Sequence, residues 1–198
     1  GDWVHRQCFS NIALGNVYRL TRDFQRARQH LHTAYNQAQE LGYPREEALA
    51  LEFLGDVYRD EDQPAQARRF YSRALAIGRK IAPEGDIVME AHRRLGECSH
   101  REGDVAGARV ELEKALKLSR QQGDRFEEGV ILRVIAEGGL AGGDLDTART
   151  SCEQSIGLLR KIGARHELAI ALLRSAELAL AKVEGNPGAA QSSARLGQ

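Results

Sequence analysis

The sequence predicts an all-α chain of stacked, antiparallel helix pairs, and three columns of small residues predict it. Gly15, Gly55, Gly96, Ala136 and Ala176 follow one another at intervals of 40, 41, 40 and 40 residues. Ala27, Ala67, Ala108 and Ala148 stand twelve residues after the first four, and Ala34, Ala74, Ala115 and Ser155 seven further on. Columns locked to one period mean similar units in a row, each shielding its neighbour's apolar side.

The first unit, about 3–42, places Leu14, Gly15 and Tyr18 on its first helix, turns at Arg22-Asp23, and carries Ala27 and Ala34 on its second. Gly42-Tyr43-Pro44 separates it from the second unit, 43–82. There Ala48, Leu51, Leu54, Gly55 and Tyr58 fall at helical spacing, and Ala67, Phe70, Tyr71, Ala74 and Leu75 do so again over 66–77. Pro64, after Asp62-Gln63, suits a first helical turn, where no backbone N–H is needed. The break at Ala82-Pro83-Glu84-Gly85-Asp86 absorbs the one extra residue of the period. The third unit, 83–123, and the fourth, 124–163, turn at Gly103-Asp104 and Gly143-Asp144. Gly there ends one helix in the left-handed region and Asp caps the next. Gly123-Asp124 and Gly163-Ala164 close these two units. A fifth first helix spans 165–183, and Gly185-Asn186-Pro187 followed by Ala189–Gln198 reads as a turn and the start of a second helix. Residues 1–183 thus read as a single array and 184–198 as a tail or a truncated helix. The first residue, Gly1, and the apolar fifth helix suggest an array cut from a longer parent.

Packing explains the columns. Gly or Ala at a crossing lets two helix backbones approach. Leu14, Leu54, Leu95 and Ile135, each just before the small residue, are expected to fill the core, with Tyr18 and Tyr58 plugging the gap to the next helix. Gly138 and Gly139 each cost roughly 1 kcal/mol relative to Ala inside a helix. They mark either a tight crossing or a soft point in the fourth unit.

The combination Leu-Gly-x-x-Tyr, turn, Ala, large residue and Ala resembles the tetratricopeptide repeat. The unit here has 40 residues where the common one has about 34. In that it is similar to units of Pins-type spindle adaptors and of bacterial peptide-responsive and transcription regulators. The resemblance implies a right-handed superhelical solenoid whose first helices line a concave groove, where partners lie as an extended peptide or a helix. It implies groove positions at Asn16, Asp56, Glu97, Glu137 and Glu177, one past the small column. With them come Arg19, Arg59 and His100 on one side, and Glu52, Arg93 and Arg133 on the other, joined by Arg94. Arg93 with Glu97 and Arg133 with Glu137 are also i,i+4 pairs that solvate a helix, whereas Glu52 and Asp56 repel mildly. Inter-unit pairing between the acidic second unit and the Arg-rich third would neutralise both. Otherwise the groove is bipolar. The clamp that holds chaperone carboxylates is not expected, because Asn16 matches it but Ile12 stands in place of its Lys.

Composition narrows the function. Basic and acidic residues number 28 each, so there is no basic face to recommend nucleic acid. Arg far outnumbers Lys among the 28 basic residues, which suggests a GC-rich bacterial genome. Three cysteines, Cys8, Cys98 and Cys152, suit a reducing, cytoplasmic setting better than a disulfide framework. No apolar run reaches the length of about 18 residues that a membrane span needs. His30 and His32 stand two apart, which aims them about 200° from each other, so no metal site is expected. No Walker loop, nucleophile elbow or dinucleotide fingerprint occurs, and no catalytic residue or cofactor is assigned. The expected function is a non-catalytic protein- or peptide-interaction module, a regulatory or sensory segment of a larger bacterial protein such as a transcription regulator. The alternatives are a scaffold that homodimerises through Leu172, Leu173 and Leu180, and a receptor for a signalling peptide or small ligand held by units three and four.

Overall fold

The computed structural model describes residues 2–184, so the turn and helix start expected over 185–198 lie outside the described residues. Nine helices make up the described chain: α1 (Asp2–Leu20), α2 (Phe24–Leu41), α3 (Pro44–Asp60), α4 (Pro64–Ile81), α5 (Asp86–Arg101), α6 (Val105–Gln122), α7 (Arg125–Gly142), α8 (Leu145–Lys161) and α9 (Arg165–Glu184). The boundaries follow the expected breaks. Gly103 and Gly143 take φ of 78°, the left-handed conformation that a residue without Cβ adopts freely. Arg22 and Asp62 hold the same region at 62° and 59° in the equivalent turns. The side chains of Asp23 and Asp144 accept hydrogen bonds from the N–H of Arg26 and Thr147, capping α2 and α8. Pro44 and Pro64 open α3 and α4.

The chain divides into two compact units, Gly1–Leu118 and Ser119–Gln198. In the first, antiparallel pairs α1/α2 and α3/α4 stack with α5 and most of α6. In the second, α7 pairs with α8, and α9 packs on both.

The columns are buried. Ala27, Ala67, Ala108, Ala148, Ala34, Ala74, Ala115 and Ser155 are fully shielded from solvent. Ser155, the one polar member, donates from Oγ to the carbonyl of Gly129 at 2.7 Å, so its hydroxyl costs little to bury. A fourth column, sixteen residues past the small one, explains why the first must be small. A Cβ on Gly15 would come within 2.5 Å of Leu31, one on Gly55 within 2.4 Å of Tyr71, and one on Gly96 within 2.6 Å of Leu112. In the fourth pair the bulky partner shrinks to Cys152 and Ala136 replaces glycine, both in one buried cluster. Volume is exchanged across the crossing and conserved.

Gly15→Ala alone should therefore destabilise by about 1–3 kcal/mol through overpacking, despite its better helix propensity. Leu31→Cys alone should also destabilise, by leaving a cavity. The double variant recreates the Ala136/Cys152 pairing and should lose at least about 1 kcal/mol less than the two single losses added, by urea unfolding. Additive losses would refute the exchange.

Two expectations need correction. Leu54 and Leu95 fill the core, but Leu14 is 43% exposed and Ile135 only half-buried. Leu14 lies on α1, whose outer side faces no earlier helix among the described residues. Ala176 is likewise exposed, since α9 has no antiparallel mate among the described residues. Tyr18 and Tyr58 do close gaps, stacking on His30 and Phe70 with centroids 5.3 and 5.1 Å apart. Gly139 answers to tight crossing: an added Cβ would lie 3.0 Å from both the backbone N of Ala148 and the carbonyl O of Asp144.

Candidate functional site

The positions that set the first-helix row lie three before, one after and four after each small residue. A helix repeats about every 3.6 residues, so these three positions share one face. In the first unit this face becomes a continuous ion-pair network across α1, α3 and α5. Arg19 reaches from α1 to Asp60 at 2.5 Å and also donates to Asn16. Arg59 lies 3.1 Å from Asp56, 3.1 Å from Asp60 and 3.2 Å from Glu97 of α5. Arg93 holds the other oxygen of Glu97 at 2.5 Å. His100 sits half-buried one turn further along α5.

The centre is Arg94. Its Nε donates to Asp56 at 3.1 Å, and its terminal nitrogen lies 2.6 Å from Glu90 and 3.5 Å from Glu52. Asp56 also accepts from the hydroxyl of Tyr71 at 2.8 Å. These groups are scarcely accessible: Glu52 is 1% exposed, Asp56 4% and Arg94 6%. The two acidic groups that repel in sequence are thus bridged by one guanidinium, whose planar fork serves several carboxylates at once.

Burial and charge then separate the two acids. Burial pushes Glu52 up to about 8 against the pull of Arg94, with the charges of Glu90 and Asp56 adding to the rise, and its Oε1 has no hydrogen-bond partner. Burial would raise Asp56 as well, but Arg94, Arg59 and Arg19 overcome it and hold the carboxyl far below the usual range. Glu97 is held low against its own burial by Arg93 and Arg59. Arg94 is raised well above its ordinary value by Asp56, Glu52 and Glu90, despite desolvation.

The second unit repeats the motif more openly. Arg133 lies 2.7 Å from Glu137 and 3.2 Å from Glu167, and Arg174 reaches Glu137 at 3.0 Å and Glu177 at 2.7 Å. Leu172, Leu173 and Leu180 are exposed on α9, while Leu178 turns inward. A cavity of about 670 Å³ lies between α8 and α9, lined by Asp144, Arg149, Cys152, Ser175 and Leu178.

The row residues named from sequence are therefore brought together within each unit, largely by pairing with one another. Reading residue by residue left Tyr71, Glu90 and Asp60 out of the row and understated Arg94. The separation of about 38 residues between Asp56 and Arg94 was the available signal. Among the described residues no cluster of His, Cys, Asp and Glu suits a metal ion, and no helix is long and apolar enough to cross a membrane. The cysteines are free and buried, with burial pushing Cys98 up to about 12.

Residues 8–80 match the model of the tetratricopeptide repeat family. That segment is similar to tetratricopeptide repeats, and the chain shares the fold of tetratricopeptide-like structures. Tetratricopeptide-like structures match it along most of its length. BtubC from P. vanneervenii is 15% identical with a TM-score of 0.67, over 90% of this chain and 92% of that one. A Rap protein complexed with competence and sporulation factor is 16% identical with a TM-score of 0.71, over 88% of this chain and 54% of the other. Aspartyl phosphate phosphatase F from Bacillus subtilis is 13% identical with a TM-score of 0.68, over 92% and 50%. No curated protein matches the sequence. At these identities the tetratricopeptide likeness is one of fold.

Proposed function

We propose that the chain is a non-catalytic protein- or peptide-interaction module, a cytoplasmic regulatory or sensory segment of a larger bacterial protein such as a transcription regulator. Each unit has its own contact surface on its first-helix row: Asn16, Arg19, Arg59, Arg93, Glu97 and His100 in the first unit, and Arg133, Glu137 and Glu177 in the second. Glu52, Asp56 and Arg94 lie beneath and hold it.

The carrying observation is the row's construction. Its charged side chains recur at the unit period and are stitched helix to helix, as Arg19 is to Asp60 and Arg174 to Glu137. Side chains already fixed by one another lose little entropy when a partner arrives, which favours a segment that touches several helices. The Rap protein's complex with a factor supports a peptide as partner, by likeness of fold.

The test is a peptide selected by display on the immobilised chain. Its affinity should fall about tenfold or more on Glu137→Lys or Glu177→Lys, a loss of about 1.4 kcal/mol or more, with the helical circular dichroism unchanged. Selected peptides indifferent to both substitutions and to Glu97→Gln would remove the row from the binding surface.

A further inference from the structure

Within the first unit, two equivalent gaps separate consecutive second helices, and their fillings differ in size. Between α2 and α4, Tyr58 of α3 stacks on Phe70 with centroids 5.1 Å apart. Arg28 lies over the Tyr58 ring, 5.9 Å from its centroid, and pairs with Glu61 at 2.5 Å. One period on, between α4 and α6, Tyr58 and Phe70 become Ser99 and Glu111. The equivalent positions shrink in the same step, Tyr35, His32, Gln66 and Arg69 giving way to Leu75, Ser72, Gly107 and Val110. A cavity of about 590 Å³ opens there, lined by all six replacements. Small-molecule sites occupy about 300–1,000 Å³. Leu75 and Leu95, both buried, give this one an apolar floor.

The ion pair that clasps the ring is kept where the ring is lost. Arg68 takes the place of Arg28 and Glu102 that of Glu61, again 2.5 Å apart, and Arg68 also donates to Ser99 Oγ at 3.0 Å. A guanidinium held beside an apolar hollow attracts the face of an aromatic ring.

The charges on the wall select the ring's substituent. Asp104 accepts from the N–H of Gly107 at 2.8 Å, and Glu111 accepts from Lys114 at 2.7 Å and pairs with His92. Both carboxylates are thus engaged within the protein. Arg79, exposed on the same wall, makes no hydrogen bond or ion pair among the described residues. It is the charge left for a ligand.

We propose that this cavity binds a small aromatic carboxylate of about indole size, its ring against Arg68 as Tyr58 lies against Arg28, and its carboxylate on Arg79. The site is built on second helices, apart from the first-helix row, and does not depend on what that row binds.

The probe is indole-3-acetate, titrated into the chain and followed by calorimetry. Saturable binding at one site per chain is expected, with indole-3-acetamide about tenfold weaker and acetate alone silent. Arg79→Gln should erase the preference for the acid over the amide. Ser99→Tyr with Glu111→Phe rebuilds the ring stack of the earlier gap and should abolish binding. Should that pair fail to fold, Val110→Trp decides: the position is 49% exposed and tolerates size, and the indole should fill the cavity and weaken binding about tenfold or more. No saturable binding at about 1 mM probe, an acid that binds no tighter than its amide, or binding indifferent to Val110→Trp overturns the proposal.

Discussion

Arg94→Met should destabilise the chain by about 3–5 kcal/mol, the usual cost of removing one partner from a buried ion pair. Against a total stability of about 5–15 kcal/mol, this brings the first unit near its limit. The reason is geometric. Arg94 is paired with Asp56 and Glu90 and lies 3.5 Å from Glu52. Without it, Glu90 loses its partner at 2.6 Å, and Asp56 keeps Arg59 and the Tyr71 hydroxyl. Arg94→Lys should recover only part of the loss, since a point charge on a flexible stem cannot serve three carboxylates in fixed directions. Urea unfolding followed at 222 nm measures both. A loss under about 1 kcal/mol for Arg94→Met would mean that the network is ornamental to the fold.

Glu52→Gln should change the pH dependence of stability more than any other single substitution. The wild-type carboxyl is neutral in the folded chain up to about 8, whereas its ordinary value is 4.5. Its neutrality therefore contributes stability that is whole below 4.5 and is lost as the pH rises through about 8. The full difference is at most about 5 kcal/mol, at roughly 1.4 kcal/mol for each tenfold change in proton affinity. Glutamine never ionises, so the variant should gain on the wild type steadily between about pH 5 and 8 and then hold a constant lead. The acid limb has the opposite origin. Asp56 and Glu97 are held low in the folded state, so their contribution is present above the ordinary carboxylate range and disappears as the pH falls. That limb should survive Glu52→Gln unchanged. Parallel pH profiles for the two proteins would show that Glu52 is ionised in the fold.

Much of this was legible from spacing. Periodic Gly and Ala columns, turn glycines and Asp caps are local chemistry repeated at a fixed interval, and repetition makes a weak local signal strong. The site was legible only as positions. That Asn16, Arg19, Asp56, Arg59 and Glu97 share a face follows from helical periodicity. Which charge meets which does not, because Arg94 and Asp56 are 38 residues apart and meet only when α5 lies against α3. Leu14 shows the limit from the other side. It has the same local pattern as Leu54, yet it is exposed because no helix precedes α1 among the described residues.

The sequence by itself determined the helix pairs, their boundaries and the small crossing residues, because these depend on contacts within a few turns and on one repeated length. Only the tertiary structure decided the exchange of volume between the glycine column and Leu31, Tyr71, Leu112 and Cys152. It also decided the neutral state of Glu52 and the uncovered face of α1. Each of these depends on what another helix brings into contact, and neither burial nor electric field is written in one helix alone.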